Sequence, residues 1–178
     1  MTNVSPSRYH PLLVALHWLV ALLVFIALAA GLFLKGLPNE PAKIAPLGIH
    51  MAIGLTILLL MAVRLLTRLL TSKPATATAG SVFLDRVGVA VHWLLYLAVF
   101  GMALSGLGTS AQAGLADIVF RGSGAPLPPD FFVFPARIGH GLTAMVLMAL
   151  IALHLAAWAY HQFIRKDHLI SRMWFGLR

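Results

Sequence analysis

Apolar residues fall into four long runs along the chain, separated by shorter stretches that hold most of the prolines and charges. A hydrocarbon core about 30 Å thick takes about 20 apolar residues in a helix rising about 1.5 Å per residue. Residues 12–34, 47–66, 87–107 and 138–164 meet that requirement, so the pattern predicts an all-α membrane protein: a single domain over 1–178 built as a four-transmembrane-helix bundle. The first run carries small residues at Ala27, Ala29, Ala30 and Gly31, as a signal-peptide cleavage site would. Its apolar core is too long for that role and contains His17 and Trp18, so it is expected to stay as a permanent span. The connections are a short loop with Pro38, Pro41 and Pro46, a Pro/Ala/Thr/Gly linker over 71–81, and a long segment over 108–136. That last segment has an apolar piece at 115–120 and prolines at 126, 128 and 129, and is expected to lie over one face of the bundle.

Within the spans the informative positions are histidines, above all in the stretch from Arg137 to His161. The fourteen steps from His140 to His154 fall about 40° short of four turns and separate the rings by about 21 Å along the axis. Both imidazoles therefore leave one face of the helix. Polar rings in hydrocarbon need partners, either neighbouring helices or a bound cofactor. Counted from helix ends at Leu34, Leu47, Leu107 and Arg137, His50 and His140 lie three residues in, whereas His17 and His154 both lie seventeen in. Two pairs at two matched depths result. His92 lies fifteen in and is an alternative to His17 or His154; His161 follows His154 by seven residues, about 20° off its stripe.

Two neutral imidazoles facing each other across a bundle suit the axial positions of a low-spin haem iron, with the porphyrin between helices. The chain has no cysteine, which excludes disulfides, iron–sulfur clusters and thioether-attached haem, so any haem is held non-covalently. Zinc competes for paired histidines but prefers four ligands, and no carboxylate lies at these depths. Arg64 follows His50 by fourteen residues, which places it near the His50 face at the inner depth, where a guanidinium can bind haem propionates or snorkel outward. Arg68, a turn further, is expected to snorkel. Gly54, Gly139 and Gly141 leave room for a flat macrocycle or for close helix packing. His92 and His161, near the membrane edge, are candidate donors to a quinone carbonyl.

Composition places these spans in lipid: 60% of residues are hydrophobic and 10% charged. The net charge of +8 does not argue for nucleic acid, because the cations cluster at the ends of apolar runs. Nine of them (Arg8, Arg64, Arg68, Lys73, Arg86, Arg165, Lys166, Arg172 and Arg178) fall on one side and four (Lys35, Lys43, Arg121 and Arg137) on the other. The positive-inside rule then puts both termini in the cytoplasm. The outer cations are local attractors for an anion.

The chain resembles the bacterial cytochrome b561 family of small di-haem, quinone-linked membrane cytochromes, which includes superoxide oxidase and is related to hydrogenase-type cytochrome b subunits. The resemblance rests on ALHW at 15–18, IHMAIG at 49–54, RLLTR at 64–68, HWLLY at 92–96, the His140/His154 spacing and HQF at 161–163. A second histidine often found in such proteins is replaced near the start of the third span by Ala90 or Val91, and beside His161 by Gln162. The resemblance implies a bacterial inner-membrane oxidoreductase. It would carry two haem b, the outer on His50 and His140 and the inner on His17 and His154, and move electrons between a periplasmic donor such as superoxide and ubiquinone. Two other readings stand beside it: a membrane anchor and electron-transfer subunit for a partner dehydrogenase or hydrogenase, and a haem-free metal transporter, which lacks any Asp or Glu in the spans for coupling.

Overall fold

A computed structural model describes residues 6–176; Arg178, counted above among the cytoplasmic cations, lies outside them. Four helices are long and apolar enough to cross a membrane. They are α1 (Pro11–Gly36), α2 (Ile44–Leu70), α3 (Val82–Gln112) and α5 (Pro135–Ala159), with a short α4 (Leu115–Phe120) between the last two. α1, α2 and α3 each run past the apolar run that predicts them at both ends, and α5 begins before its run. Pro11 and Pro135 start helices where a missing N–H costs nothing. Ser81 caps α3 by accepting from the Leu84 amide, which adds a turn containing Asp85 to the third span. The fourth span continues beyond α5 as a π turn over Tyr160–Arg165.

The bundle is antiparallel, with α1 against α2, α2 against α3, and α3 against α5. Its core is a layer of Val20 and Val24 from α1, Ile57 and Met61 from α2, Tyr96, Ala98 and Val99 from α3, and Leu147 from α5. Leu147 is seven residues from both His140 and His154, so this apolar layer separates two histidine groups. Large apolar side chains such as Leu22, Phe25, Leu59, Leu97 and Leu153 point outward. In water such a surface would aggregate; around a transmembrane bundle it is the lipid-facing wall.

The segment over 108–136 folds over one end of the bundle. Gly114, Gly122 and Gly124, all at positive φ, turn it, and Leu115 and Leu127 are buried beneath it. Val119 of α4 sits so close to α2 that a Cβ on Gly48 would fall 2.9 Å from its Cγ1. Asn39 ties the first connection to this cap by donating to the Pro129 carbonyl at 3.0 Å.

Candidate functional site

Two histidine groups occupy the bundle interior on either side of the core layer. At the capped end, His50 of α2 faces His140 of α5 with ring centres 6.2 Å apart and planes inclined at 83°. His140 Nδ1 lies 3.0 Å from the Met102 carbonyl and 3.2 Å from Ser105 Oγ. The carbonyl can only accept, so Nδ1 carries the proton and Nε2 presents its lone pair. His50 Nδ1 is buried with no hydrogen-bond partner. An apolar cleft opens beside the two rings, lined also by Val24, Gly54, Val99 and Leu147.

Glycines make that space. A Cβ on Gly54 would meet nothing within 4 Å, so it would stand in the cavity itself. Behind the rings, a Cβ on Gly31 would lie 3.5 Å from His50 Cε1, and one on Gly106 only 3.3 Å from His140 Cε1. Sequence reasoning singles out Gly54 but misses Gly31 and Gly106, whose helices meet the histidines only in the folded bundle. Gly141, by contrast, faces the Arg137 guanidinium at 3.3 Å.

At the other end, His17 of α1, His92 of α3 and His154 of α5 come together. The ring centres of His17 and His154 are 6.5 Å apart, those of His92 and His154 5.2 Å. With metal–nitrogen bonds near 2.0 Å and about 1.1 Å from nitrogen to ring centre, imidazoles on opposite sides of one metal have centres about 6.2 Å apart. The His50–His140 and His17–His154 pairs match that spacing; His92 is about 1 Å too close to His154 to share a metal with it in this way. His92 is an exposed side chain whose Nδ1 lies 2.6 Å from the Gly88 carbonyl in its own helix.

Arg64 stands within the inner group. Its guanidinium donates to the Tyr96 hydroxyl and lies 3.3 Å from His17 Nδ1, while its Nε is buried without a partner. Arg68 stacks on Trp93 and Tyr96, 5.1 and 5.6 Å from the ring centres. Trp18, edge-on to His17 at 5.2 Å, donates its indole N–H to the Met173 carbonyl at 2.9 Å, which lays the C-terminal segment over this end. His161 sits in the π turn, bonded to Asp167. Sequence reasoning assigns no site role to Tyr96 or Asp167, since their contacts with Arg64 and His161 exist only in the fold.

The outer cations are unequal. Lys43 is buried, donating to the Leu37 carbonyl and to Asn39 Oδ1, both at 2.9 Å. Arg121 pairs with Asp117 at 2.8 Å. Arg137, one turn before His140, lies 5.2 Å from the Phe132 ring centre and has no carboxylate partner among the described residues. No three His, Cys, Asp or Glu side chains among the described residues converge as a bare-metal site.

Residues 8–176 match the sequence profile of prokaryotic cytochrome b561. The chain belongs to that family. Among curated relatives, a probable superoxide oxidase, CybB, from Yersinia pestis is 28% identical over 172 residues, covering 94% of this chain and 96% of that protein. Cytochrome b561 homolog 2 from Escherichia coli K12 is 28% identical over 178 residues, 95% and 92% of the two chains. Cytochrome b562 from Cereibacter sphaeroides is 27% identical over 170 residues, 93% and 94%. This prokaryotic cytochrome b561 is thus a membrane cytochrome b of the bacterial inner membrane, and the family implies b-type haem, which displaces the haem-free transporter reading. The chain's residues fit that group: facing imidazoles at ligand spacing, an apolar cavity beside them, and glycine where a side chain would intrude.

Proposed function

We propose that this cytochrome holds two b-type haems, one between His50 and His140 and one between His17 and His154, and carries electrons across the inner membrane from a periplasmic donor to ubiquinone. The observation that carries the reading is the pair of histidine couples, at 6.2 and 6.5 Å, on opposite sides of the layer around Leu147. Bound there by these histidines, haem would supply a one-electron iron couple suited to passing electrons. Met102 and Ser105 orient His140 for this role, and Arg64 is placed to meet a haem propionate once it leaves His17.

The excess of cations at the end bearing His17 and His154 supports a cytoplasmic location for that end and for both termini. The capped end with His50 and His140 then faces the periplasm. Superoxide is the donor we favour, on the name of the Yersinia pestis relative and on Arg137, whose unpaired charge beside His140 attracts a small anion. Two superoxide ions would each lose one electron to become oxygen, and one ubiquinone would gain two electrons and two protons. His92 and His161, at the end bearing His17 and His154, are the candidates to meet its carbonyl oxygens, each donating from Nε2 once its ring is protonated.

The experiment is haem b per polypeptide on detergent-purified protein, followed by superoxide-driven haem reduction with and without a short-chain ubiquinone. About two haems, with reduction abolished by superoxide dismutase and turnover restored by quinone, supports the proposal. About one haem removes the transmembrane path. Two haems inert to superoxide, with a dehydrogenase co-purifying, would instead make the chain an electron-transfer anchor.

A further inference from the structure

The cytoplasmic end of α5 does not close as an ordinary helix. From Tyr160 to Arg165 the chain widens into a π turn, a geometry found where a side chain has to be re-aimed. Lys166 and His168 then take φ of 57° and 52°, although neither is glycine. Left-handed backbone at two such residues out of three persists only where surrounding contacts hold it.

Its effect is to fold Asp167 back onto His161. The amide of Asp167 donates to the His161 carbonyl at 3.3 Å, the Lys166 amide reaches the same oxygen, and the His161 Nδ1 lies 2.7 Å from Asp167 Oδ2. A carboxylate accepts, so Nδ1 carries a proton and Nε2 is the ring's free nitrogen. The two partners differ in exposure, with the carboxylate side chain 31% accessible and the imidazole 13%. The pair therefore bridges solvent and the bundle interior, about 10 Å along the axis from His154.

The groups around it are accounted for. Arg165 Nε is 3.8 Å from the same carboxylate oxygen, and its Nη1 rests against Gly80 in the connection before α3. The Tyr160 ring centre is 5.7 Å from that of His161. Gln162 reaches His168 Nδ1 at 3.5 Å, while its Oε1 is buried without a partner. Arg172 on the following turn is engaged by the Ala75 carbonyl at 2.7 Å. Asp167 is the carboxylate that faces His161 among the described residues.

We infer that His161 and Asp167 form a proton relay: with its Nδ1–H held by the carboxylate, the ring takes a proton from cytoplasmic water at Nε2, Asp167 offsets the charge of the imidazolium so formed, and Nε2–H passes that proton to the bound quinone. The relay rests on the electron-to-quinone reading above. Each quinone converted to quinol takes two electrons, supplied by the oxidation of two one-electron donors, and two protons. Those protons pass one at a time through the pair, which is reprotonated from water after each transfer. Asp167 acts through His161 and is a positioning residue.

The test uses full-length, haem-loaded protein whose haems are reduced with stoichiometric dithionite, then mixed with a short-chain ubiquinone while reoxidation is followed by haem absorbance. Asp167→Asn preserves shape but cannot offset the charge of the His161 imidazolium. It and His161→Gln are expected to slow reoxidation about tenfold or more without altering haem content or spectrum. Acetate or imidazole in the buffer is expected to restore the rate, and Asp167→Glu to retain it. Reoxidation of Asp167→Asn at the wild-type rate overturns the relay; so does a slow rate that no small acid rescues, which would mark the pair as purely structural. Wild-type haems that quinone fails to reoxidise would overturn the underlying electron-to-quinone reading, an outcome visible without any variant.

Discussion

Arg64 reaches from α2 to place a terminal nitrogen 3.3 Å from Nδ1 of His17 on α1, while also donating to the hydroxyl of Tyr96 on α3. Arginine only donates, so in this contact His17 Nδ1 accepts and its proton resides on Nε2. An imidazole that ligates iron through Nε2 has the opposite arrangement. Haem binding at the inner pair therefore requires Arg64 to turn from His17, and the carboxylates of the porphyrin are the acceptors it would turn to. Arg64→Gln is expected to weaken retention of the inner haem by about 10- to 100-fold, the range for lost supporting contacts around a bound metal. Haem per polypeptide after washing with apomyoglobin, a haem acceptor, measures it; an unchanged ratio would leave Arg64 with no part in holding the group.

The 6.5 Å spacing of His17 and His154, against 5.2 Å for His92 and His154, favours His17 over His92 as the partner of His154 in the proposed inner site. His17→Ala and His154→Ala should each remove one haem of two and leave the outer one with its low-spin spectrum. His92→Ala should retain both. If His92→Ala is instead the variant that loses a haem, the inner pairing is wrong.

Gly54 and Gly106 keep the outer site open in different ways. Leucine at 54 would project into the cleft beside the rings, and valine at 106 would press on a ring that a single Cβ already approaches to 3.3 Å. Both Gly54→Leu and Gly106→Val are expected to lose the outer haem and keep the inner one, read from haem content together with the spectrum of what remains. Two haems in both variants would place the outer group elsewhere than beside this cavity.

Ser105 offers an oxygen 3.2 Å from His140 Nδ1, beside the Met102 carbonyl at 3.0 Å. Accepting from Nδ1–H makes the imidazole a stronger electron donor and favours the ferric state. Ser105→Ala removes the weaker of the two acceptors. The outer haem potential should therefore rise, by about 20–60 mV if the contact contributes about 0.5–1.5 kcal/mol to the difference between oxidation states. A spectroscopic redox titration resolves a shift of that size, and a fall in potential would contradict the assigned proton position.

Chain order was enough for the architecture and for much of the site. Hydrophobic length specifies a transmembrane helix nearly by itself, because lipid offers backbone groups no other partner, and so the four spans are legible in the residues. Helical rise and rotation are equally local, which is why His50 and His140, and His17 and His154, could be paired by depth before any contact was seen. The ends of the helices were less legible: Ser81 and the prolines at 11 and 135 carry the spans beyond their apolar runs, since caps act on backbone ends and not on hydropathy.

Only the tertiary structure decided which neighbours those histidines have. His92 differs from His17 by two residues in depth, too little to distinguish them in sequence, whereas their ring spacings to His154 of 5.2 and 6.5 Å depend on how α1, α3 and α5 rotate against one another. The glycines behind the rings, the Tyr96 hydroxyl under Arg64 and the carboxylate clasping His161 are likewise relations between elements. Periodicity fixes where a residue lies along its own helix. Packing alone fixes what it touches, because the rotation of each helix about its axis is set by the side chains of all the others at once.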